Sequence, residues 1–576
     1  MHRRVTNNRQ GAPLGLPVPE IGRFASLYCR EAFVRSSRLV RSATPPLPGF
    51  LSGRRASRLL VAPTDLRIAD PLEGEDLLAG RFALAGAVLE TNGRPPFSFE
   101  MPSLAFEREL AGFSWLRHLR TRRGEEANIF ARAAVLSFMR RHRSAKGTSW
   151  ETEIAVRRLN AWLCHSTVIL KGADTGFYRR FVDQIARHER ILRRRYATLP
   201  RDAVRLQTAT ALAMAAISLD MSDHRKREAA RRLDDELEKQ ILPDGGHISR
   251  SPDALVSLLL RLLPLRQTYI NLDQTLPKRL VASIDRAYAA VNFFRHRDGD
   301  LALFNGTGLV PGTALSALLR YDETGGSVFR ALPHSGFDRL QAGRTTLIAD
   351  TGRPLSVHLS KTAHAGALSF EMSAGQNRFI VNTGVPLAAD EATIRLARTT
   401  AAHSAVSIDD SSAMRFSRSA FLGPVAAGGI RQVTHERDMD ENGHDRLIMR
   451  HDGYLARYGL MLERTLTLSP DGTEITGSDG FRGKNGALPA EGDETVAIAR
   501  FHLHPAIWTM QEDDDTIFMT AHDNESWLFS APGCAPVLED GVFFAASAGK
   551  TASRQIVIAW TIGDRPDIRW RLNRLS

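Results

Sequence analysis

A chain of 576 residues, 43% hydrophobic and 24% charged, has the composition of a globular protein and excludes a disordered, collagen-like or fibrous one. Domains of ~100–200 residues would number three or four, but β-sandwiches and helical assemblies run larger, so two large domains are expected. The formal charge of +12 is carried mostly by arginine, whose flat fork suits carboxylate, sulfate or phosphate, and therefore calls for an anionic partner.

In chain order, Met1 to Gln10 is basic and is followed by no apolar stretch of signal-peptide length. Residues 1–75 are rich in Arg, Pro and Ser and read as a leader with one or two helices, broken by the proline cluster at Pro45, Pro46 and Pro48. Across 76–333 the pattern becomes helical. Ile154, Leu159, Trp162 and Leu163 fall near one stripe, and similar stripes recur at 176–198, 204–219, 223–241, 253–270 and 277–295. Asp244-Gly-Gly246 and Asp298-Gly-Asp300 mark turns, so a row of antiparallel helices is expected. Across 334–576 short β-prone runs take over, at 345–349, 378–382, 404–408 and 555–560, punctuated by Asp440-Glu-Asn-Gly443 and Asp471-Gly-Thr473. That half is expected to be a large antiparallel β-sandwich. No run of about 18 apolar residues suggests a spanning helix. Cys29, Cys164 and Cys534 form no CxxC pair, which argues against a disulfide framework or a cysteine zinc site.

Two segments carry the chemistry. Thr362 to Glu371 and Thr399 to Val406 each set a histidine beside a β-prone run, so His364 and His403 can meet on the face of a sheet, with the Asn382 amide on a third strand. Neutral imidazoles so placed can hold a divalent metal such as zinc or move a proton; equally, they suit hydrogen-bonded sandwich histidines. Upstream, Trp115, Arg117 and His118 could offer a stacking ring and cations to a sugar chain, although the same spacing reads as a core stripe with a basic face. Asn305-Gly306 is a natural turn pair, and His247 after its Gly-Gly turn suits a loop hydrogen bond.

Asp244 to Pro252, Phe293 to Gly306, Ala363 to Glu371 and Ala401 to His403 together resemble the heparinase II/III family of polysaccharide lyases, over roughly residues 75–576. The resemblance implies an incomplete α/α toroid followed by an antiparallel β-sandwich, with an acidic, uronate-containing polysaccharide bound between them and cleaved by β-elimination. Such a site must neutralise the uronate, remove the C5 proton and protonate the leaving oxygen. The implied catalytic candidates are His247, Arg250, Tyr288 and His364, with Tyr269 as a second possible base. Trp115, Arg117, His118, Arg205 and Asn305 would bind substrate, and His364, Asn382 and His403 would hold a metal. The sequence also departs from the family's pattern. Thr362 and Gly366 stand where many relatives have a histidine and an aspartate, and Leu199 to Thr210 lacks the Asn-His with which many relatives open a helix. Ser251-Pro-Asp-Ala-Leu255 lacks the tyrosine and histidine that often follow Ser-Pro. A member that has lost elimination and binds or helps to process an anionic envelope glycan is the alternative. Relatives of this kind imply a periplasmic or envelope setting, which the amino terminus does not signal. Nucleic acid is not an expected partner, because no zinc-finger, RRM or helix-turn-helix signature accompanies the charge.

Overall fold

Helices form where the apolar stripes and caps coincide. In the computed structural model, which describes residues 18–43, 58–122, 124–323, 325, 328–386, 390–409, 411–547 and 549–575, the helices are α1 (Val18–Ala43), α2 (Pro71–Ala79), α3 (Leu104–Gly112), α4 (Glu125–Arg141), α5 (Thr152–Cys164), α6 (Ser166–Leu170), α7 (Thr175–Tyr196), α8 (Ala203–Ser218), α9 (Asp223–Gln240), α10 (Pro252–Asn271), α11 (Leu280–Phe294) and α12 (Gly312–Leu319). The proline cluster of the leader lies outside the described residues. Asp174 and Asp202 cap α7 and α8 by accepting the Phe177 and Arg205 amides, and Pro252 opens α10, where a missing N–H costs nothing. The Ala-rich α8 is buried nearly all round and packs against α5, α7, α9 and α10. α9 is strongly charged and buries only one stripe. Inner helices α5, α8 and α10 thus alternate with outer helices α7, α9 and α11, which is the incomplete α/α toroid. A hairpin of β1 (Arg81–Leu84) and β2 (Ala87–Glu90) decorates its start.

From Ala331 the period changes to two. The strands are β3 (Ala331–Leu332), β4 (Phe337–Ala342), β5 (Thr345–Asp350), β6 (Phe370–Ala374), β7 (Asn377–Val381), β8 (Val406–Ile408), β9 (Met414–Phe416), β10 (Ala426–Gly429), β11 (Val433–Met439), β12 (Asp445–His451), β13 (Leu460–Leu468), β14 (Glu474–Gly483), β15 (Val496–Leu503), β16 (Trp508–Gln511), β17 (Thr516–Thr520), β18 (Ser526–Ser530), β19 (Val537–Ala546), β20 (Gly549–Thr561) and β21 (Asp567–Arg574). One antiparallel sheet runs β19-β20-β15-β7-β6-β5-β4-β3 with β8 beside β15, and the facing sheet runs β11-β12-β13-β14-β21-β18-β17-β16. Strict alternation along β13 turns its leucines inward. Phe370 stacks on Trp570 across the core at 5.7 Å between centroids.

The two halves are joined by polar groups as well as by packing. The turn after α11 is clamped by Arg339, which donates to the Phe293 and Arg295 carbonyls, and by Arg378, which pairs with Asp298 and Asp300. α1 docks on the sandwich: Leu27 packs with Leu422, Val425 and Ala427, and the buried Glu20 carboxylate pairs with Arg415 and accepts the Gly429 amide. Among the described residues no helix is long and apolar enough to cross a membrane.

Candidate functional site

The loop after β5 and the short helical turn before β8 bring His364 and His403 into contact, Nδ1 to Nε2 at 3.2 Å, with the rings edge to face. The hydrogen bonds assign the tautomers. His403 Nδ1 lies 2.7 Å from the Thr399 carbonyl, so it carries the proton and donates there. Its Nε2 then accepts from His364 Nδ1, which leaves His364 Nε2 as an acceptor turned toward the toroid's Asn305-Gly306 turn, with a Cβ at Gly306 reaching within 3.7 Å of it. Burial depresses both imidazoles below their ordinary range, His364 strongly, with His403 and Arg398 adding to the effect on His364. Both rings are neutral at pH 7.

Toroid and sandwich residues do converge here. Arg250, Asn305, Asp350, His364 and Ala367 border one void, but its volume is about 10 Å³, roughly the space of a single water. Its Arg250 and Asn305 walls are engaged. Arg250, whose backbone takes a left-handed φ of 57°, donates to the Ser335 carbonyl at 2.6 Å and the Gly336 carbonyl at 3.0 Å, pairs with Asp350 and lies over the Phe337 ring. Its guanidinium occupies the space a Cβ at Gly352 would need. Asn305 donates to the Arg250 carbonyl at 3.3 Å and faces the His364 amide at 3.5 Å. Arg250 therefore ties the two domains together and is not free to clamp a uronate.

The donor set does not fit a metal centre. Asn382 is turned away, its amide donating to Glu371 at 3.2 Å while its carbonyl accepts the Ser404 amide at 3.0 Å. The His403 ring lies against Gly366, where a Cβ would sit 2.5 Å from Cδ2, so an acidic ligand at that position has no room. Among the described residues no three His, Cys, Asp or Glu side chains are grouped to hold an ion.

Several other candidates fall outside this convergence. Tyr288 is buried and its hydroxyl donates to the Leu318 carbonyl at 2.8 Å; burial pushes its phenol far above the usual range, the wrong direction for a base. Tyr269 is also buried, and burial shifts it the same way. Trp115 packs among Phe82, Phe113 and Phe130 and donates to the Leu110 carbonyl; it belongs to the core stripe and offers no sugar platform because the ring is buried. His118 accepts the Asp70 amide at 3.0 Å, and Arg117 donates to the Ser114 carbonyl. His247 accepts from the Ser249 amide and donates to Gln240, so it braces its own turn.

Arg205 belongs to a different place. It pairs with Glu236 at 2.7 Å and stacks on Tyr196, yet it also borders a groove of about 420 Å³ where α1, the loop before α8 and the sandwich loops 357–361 and 422–425 meet. Arg30, Arg201, His358 and Lys361 join it there, opposed by Glu31, which already pairs with Arg35. Such a wall focuses positive potential on an open cleft. No sequence motif marks these residues, since three distant segments contribute them; the Arg-rich leader and Pro200-Arg201 were the only available hints.

The buried imidazoles predict an acid limit on stability. Burial holds His247, His451 and His502 to about 4 against an ordinary value of 6.5. Unfolding lets each take up a proton below pH 6.5 that the fold refuses until about 4, so stability is complete above 6.5 and falls as pH drops toward 4. Urea midpoints measured from pH 7.5 to 4.5 should decline steadily below 6.5; a flat profile would contradict the buried neutral state.

Comparison with known proteins agrees with this architecture. Residues 324–571 match the model of the family described as Heparinase II/III-like, C-terminal. FtsZ-localized protein C of Caulobacter vibrioides (strain NA1000 / CB15N) is 30% identical over 535 residues, covering 90% of this chain and 91% of that protein. The crystal structure of heparinase III superposes with a TM-score of 0.67 at 13% identity, covering 97% of this chain and 92% of the other. Heparan sulfate lyase HepC from Pedobacter heparinus superposes with a TM-score of 0.58 at 14% identity, covering 96% and 88%. These two likenesses are of fold.

Proposed function

The chain belongs to the heparinase II/III-like family, and on that premise we propose that it uses the toroid and sandwich as a scaffold that binds an acidic glycan without eliminating it, at the site of FtsZ assembly. One observation carries this reading: the histidine pair sits against a void of about 10 Å³, too small for a sugar ring, with Arg250 spent on Asp350 and backbone carbonyls. Elimination needs a cation on the uronate and a base at C5 in one accessible cleft. The groove beside Arg30, Arg201, Arg205 and Lys361 offers cations, and the imidazole that lines it, His358, is held by the Arg201 carbonyl at 3.1 Å and by Ser356 Oγ at 3.4 Å. The setting follows the relative that aligns across 90% of the chain and is named for FtsZ localisation.

The lyase reading keeps one feature in its favour, the free acceptor at His364 Nε2 facing the toroid. Ultraviolet absorbance of unsaturated uronyl ends separates the two. No new absorbance is expected on any of a panel of uronic-acid polysaccharides, while at least one should bind. Arg201→Gln with Lys361→Gln should weaken that binding about tenfold, the loss of one charge-assisted contact's free energy or more. Co-sedimentation with FtsZ filaments tests the setting. Absorbance growing with time would restore the lyase reading; absence of both glycan binding and FtsZ association would remove the proposal.

A further inference from the structure

A second polar space lies inside the toroid, away from the groove. A partly open cavity of about 100 Å³ lies between the segment at 64–67 and inner helices α5, α8 and α10, lined by Asp65, Arg67, Arg157, Asn160, Ser257 and Arg261. Three guanidiniums thus share one carboxylate. Asp65 is taken by Arg67 at 3.0 Å, and Arg157 reaches out of the cavity to Glu109. Arg261 has no carboxylate within ion-pairing distance among the described residues, and its guanidinium donates back to the Ser257 carbonyl of its own helix. Nε of Arg157 is buried with no hydrogen-bond partner. Burial, with Arg67 and Arg157 nearby, lowers Arg261 to about 10 against the opposing charges of Glu153 and Asp253.

Arg261 is half-buried, and a guanidinium partly withdrawn from water with no carboxylate paired to it is stabilised by an accompanying anion. The space takes several waters on the same scale and is large enough for one compact tetrahedral ion. Hydroxyl and amide groups of Ser257 and Asn160 stand beside the cations as further donors. Arginine forks match tetrahedral oxygens in pairs. We propose that this cavity is a binding site for a free tetrahedral oxyanion, phosphate or sulfate, with Arg261 as its principal ligand and Arg157, Asn160 and Ser257 around it.

The test is calorimetric titration of the full chain with sodium phosphate and with sodium sulfate, at constant ionic strength made up with chloride. One ion per chain is expected, with a raised melting temperature. Arg261→Met, which removes the unpaired charge and keeps an unbranched side chain, should weaken binding at least about tenfold, the equivalent of one charge-assisted contact. Arg205→Gln removes a groove cation and the partner of Glu236 but touches no residue of this cavity, so it should leave this binding unchanged. Ser257→Ala should weaken it while preserving every charge, which keeps the test decisive should Arg261→Met fail to fold. Glycerol 3-phosphate, which offers one terminal oxygen fewer than free phosphate, should compete more weakly than phosphate. Equal affinity in Arg261→Met and Ser257→Ala, loss of binding in Arg205→Gln, competition by the ester equal to that of free phosphate, or no preference over chloride would each overturn the assignment.

Discussion

Asp479→Ala is expected to destabilise the sandwich by about 3 to 5 kcal/mol, the range for stranding one partner of a buried ion pair. Arg464 and Asp479 are both fully buried between the sheets, joined by two bonds of 2.6 and 3.1 Å. The pair does more than neutralise itself. Arg464 Nη1 donates to the Leu368 carbonyl at 3.1 Å and the Ser404 carbonyl at 2.7 Å, and so staples together the two loops that carry His364 and His403. Leu368 holds a left-handed φ of 61°, a costly conformation for a bulky side chain that surrounding structure must enforce. Trp570 donates to the same carboxylate at 3.0 Å, which gives the test its reporter. The urea midpoint followed by tryptophan fluorescence should fall sharply in Asp479→Ala, and the imidazole resonances of the histidine pair should shift or broaden. The double variant Arg464→Met with Asp479→Leu should recover much of the loss, because an apolar pair leaves no charge stranded. An unchanged midpoint in the single variant would show that the staple carries no stability.

The periods of the sequence were enough for the architecture. Apolar stripes at 204–219 and 253–270 fall on α8 and α10 within a residue or two, because a helix buried on most of its surface announces itself locally. The meeting of His364 with His403 was also legible, since each stands beside a β-prone run, which lets the two rings come together. What could not be read was the company they keep. That Arg250 would turn from the cleft to Ser335 and Asp350, or that Gly366 would leave room only for the His403 ring, depends on contacts across 85 to 100 residues or on close backbone approach. Periodicity carries no information about either. The basic groove escaped for the same reason: Arg30, Arg201 and Lys361 are neighbours only after α1 docks. Trp115 illustrates the opposite failure, a residue type suited to sugar binding placed by its own helical spacing into a core of phenylalanines.

Glu371→Ala is expected to cost about 4 kcal/mol or more and to loosen the joint between the two domains. The Glu371 side chain is fully buried and accepts the Leu303 amide at 2.9 Å, the Asn382 amide at 3.0 Å and the Asn382 side chain at 3.2 Å. Its second oxygen takes a bond from His296 Nε2 at 3.1 Å, and the other ring nitrogen meets Ser373 Oγ at 2.9 Å. His296 and Leu303 belong to the turn after α11, so a single carboxylate of β6 holds the end of the toroid against the sheet. Alanine leaves several buried donors without an acceptor, each worth about 1 to 3 kcal/mol, and the cavity is too enclosed for water to replace all of them. Arg339 and Arg378 still grip the turn, so the expected result is a loosened hinge in a folded chain. Amide exchange at Leu303 and Asn382 should accelerate by about a thousandfold, the equivalent of 4 kcal/mol, while amides in the middle of α8 stay protected. Glu371→Gln should restore part of the protection, since one amide oxygen can still accept from the Leu303 side. Exchange at both sites matching the parent chain would mean that Arg339 and Arg378 alone secure the joint.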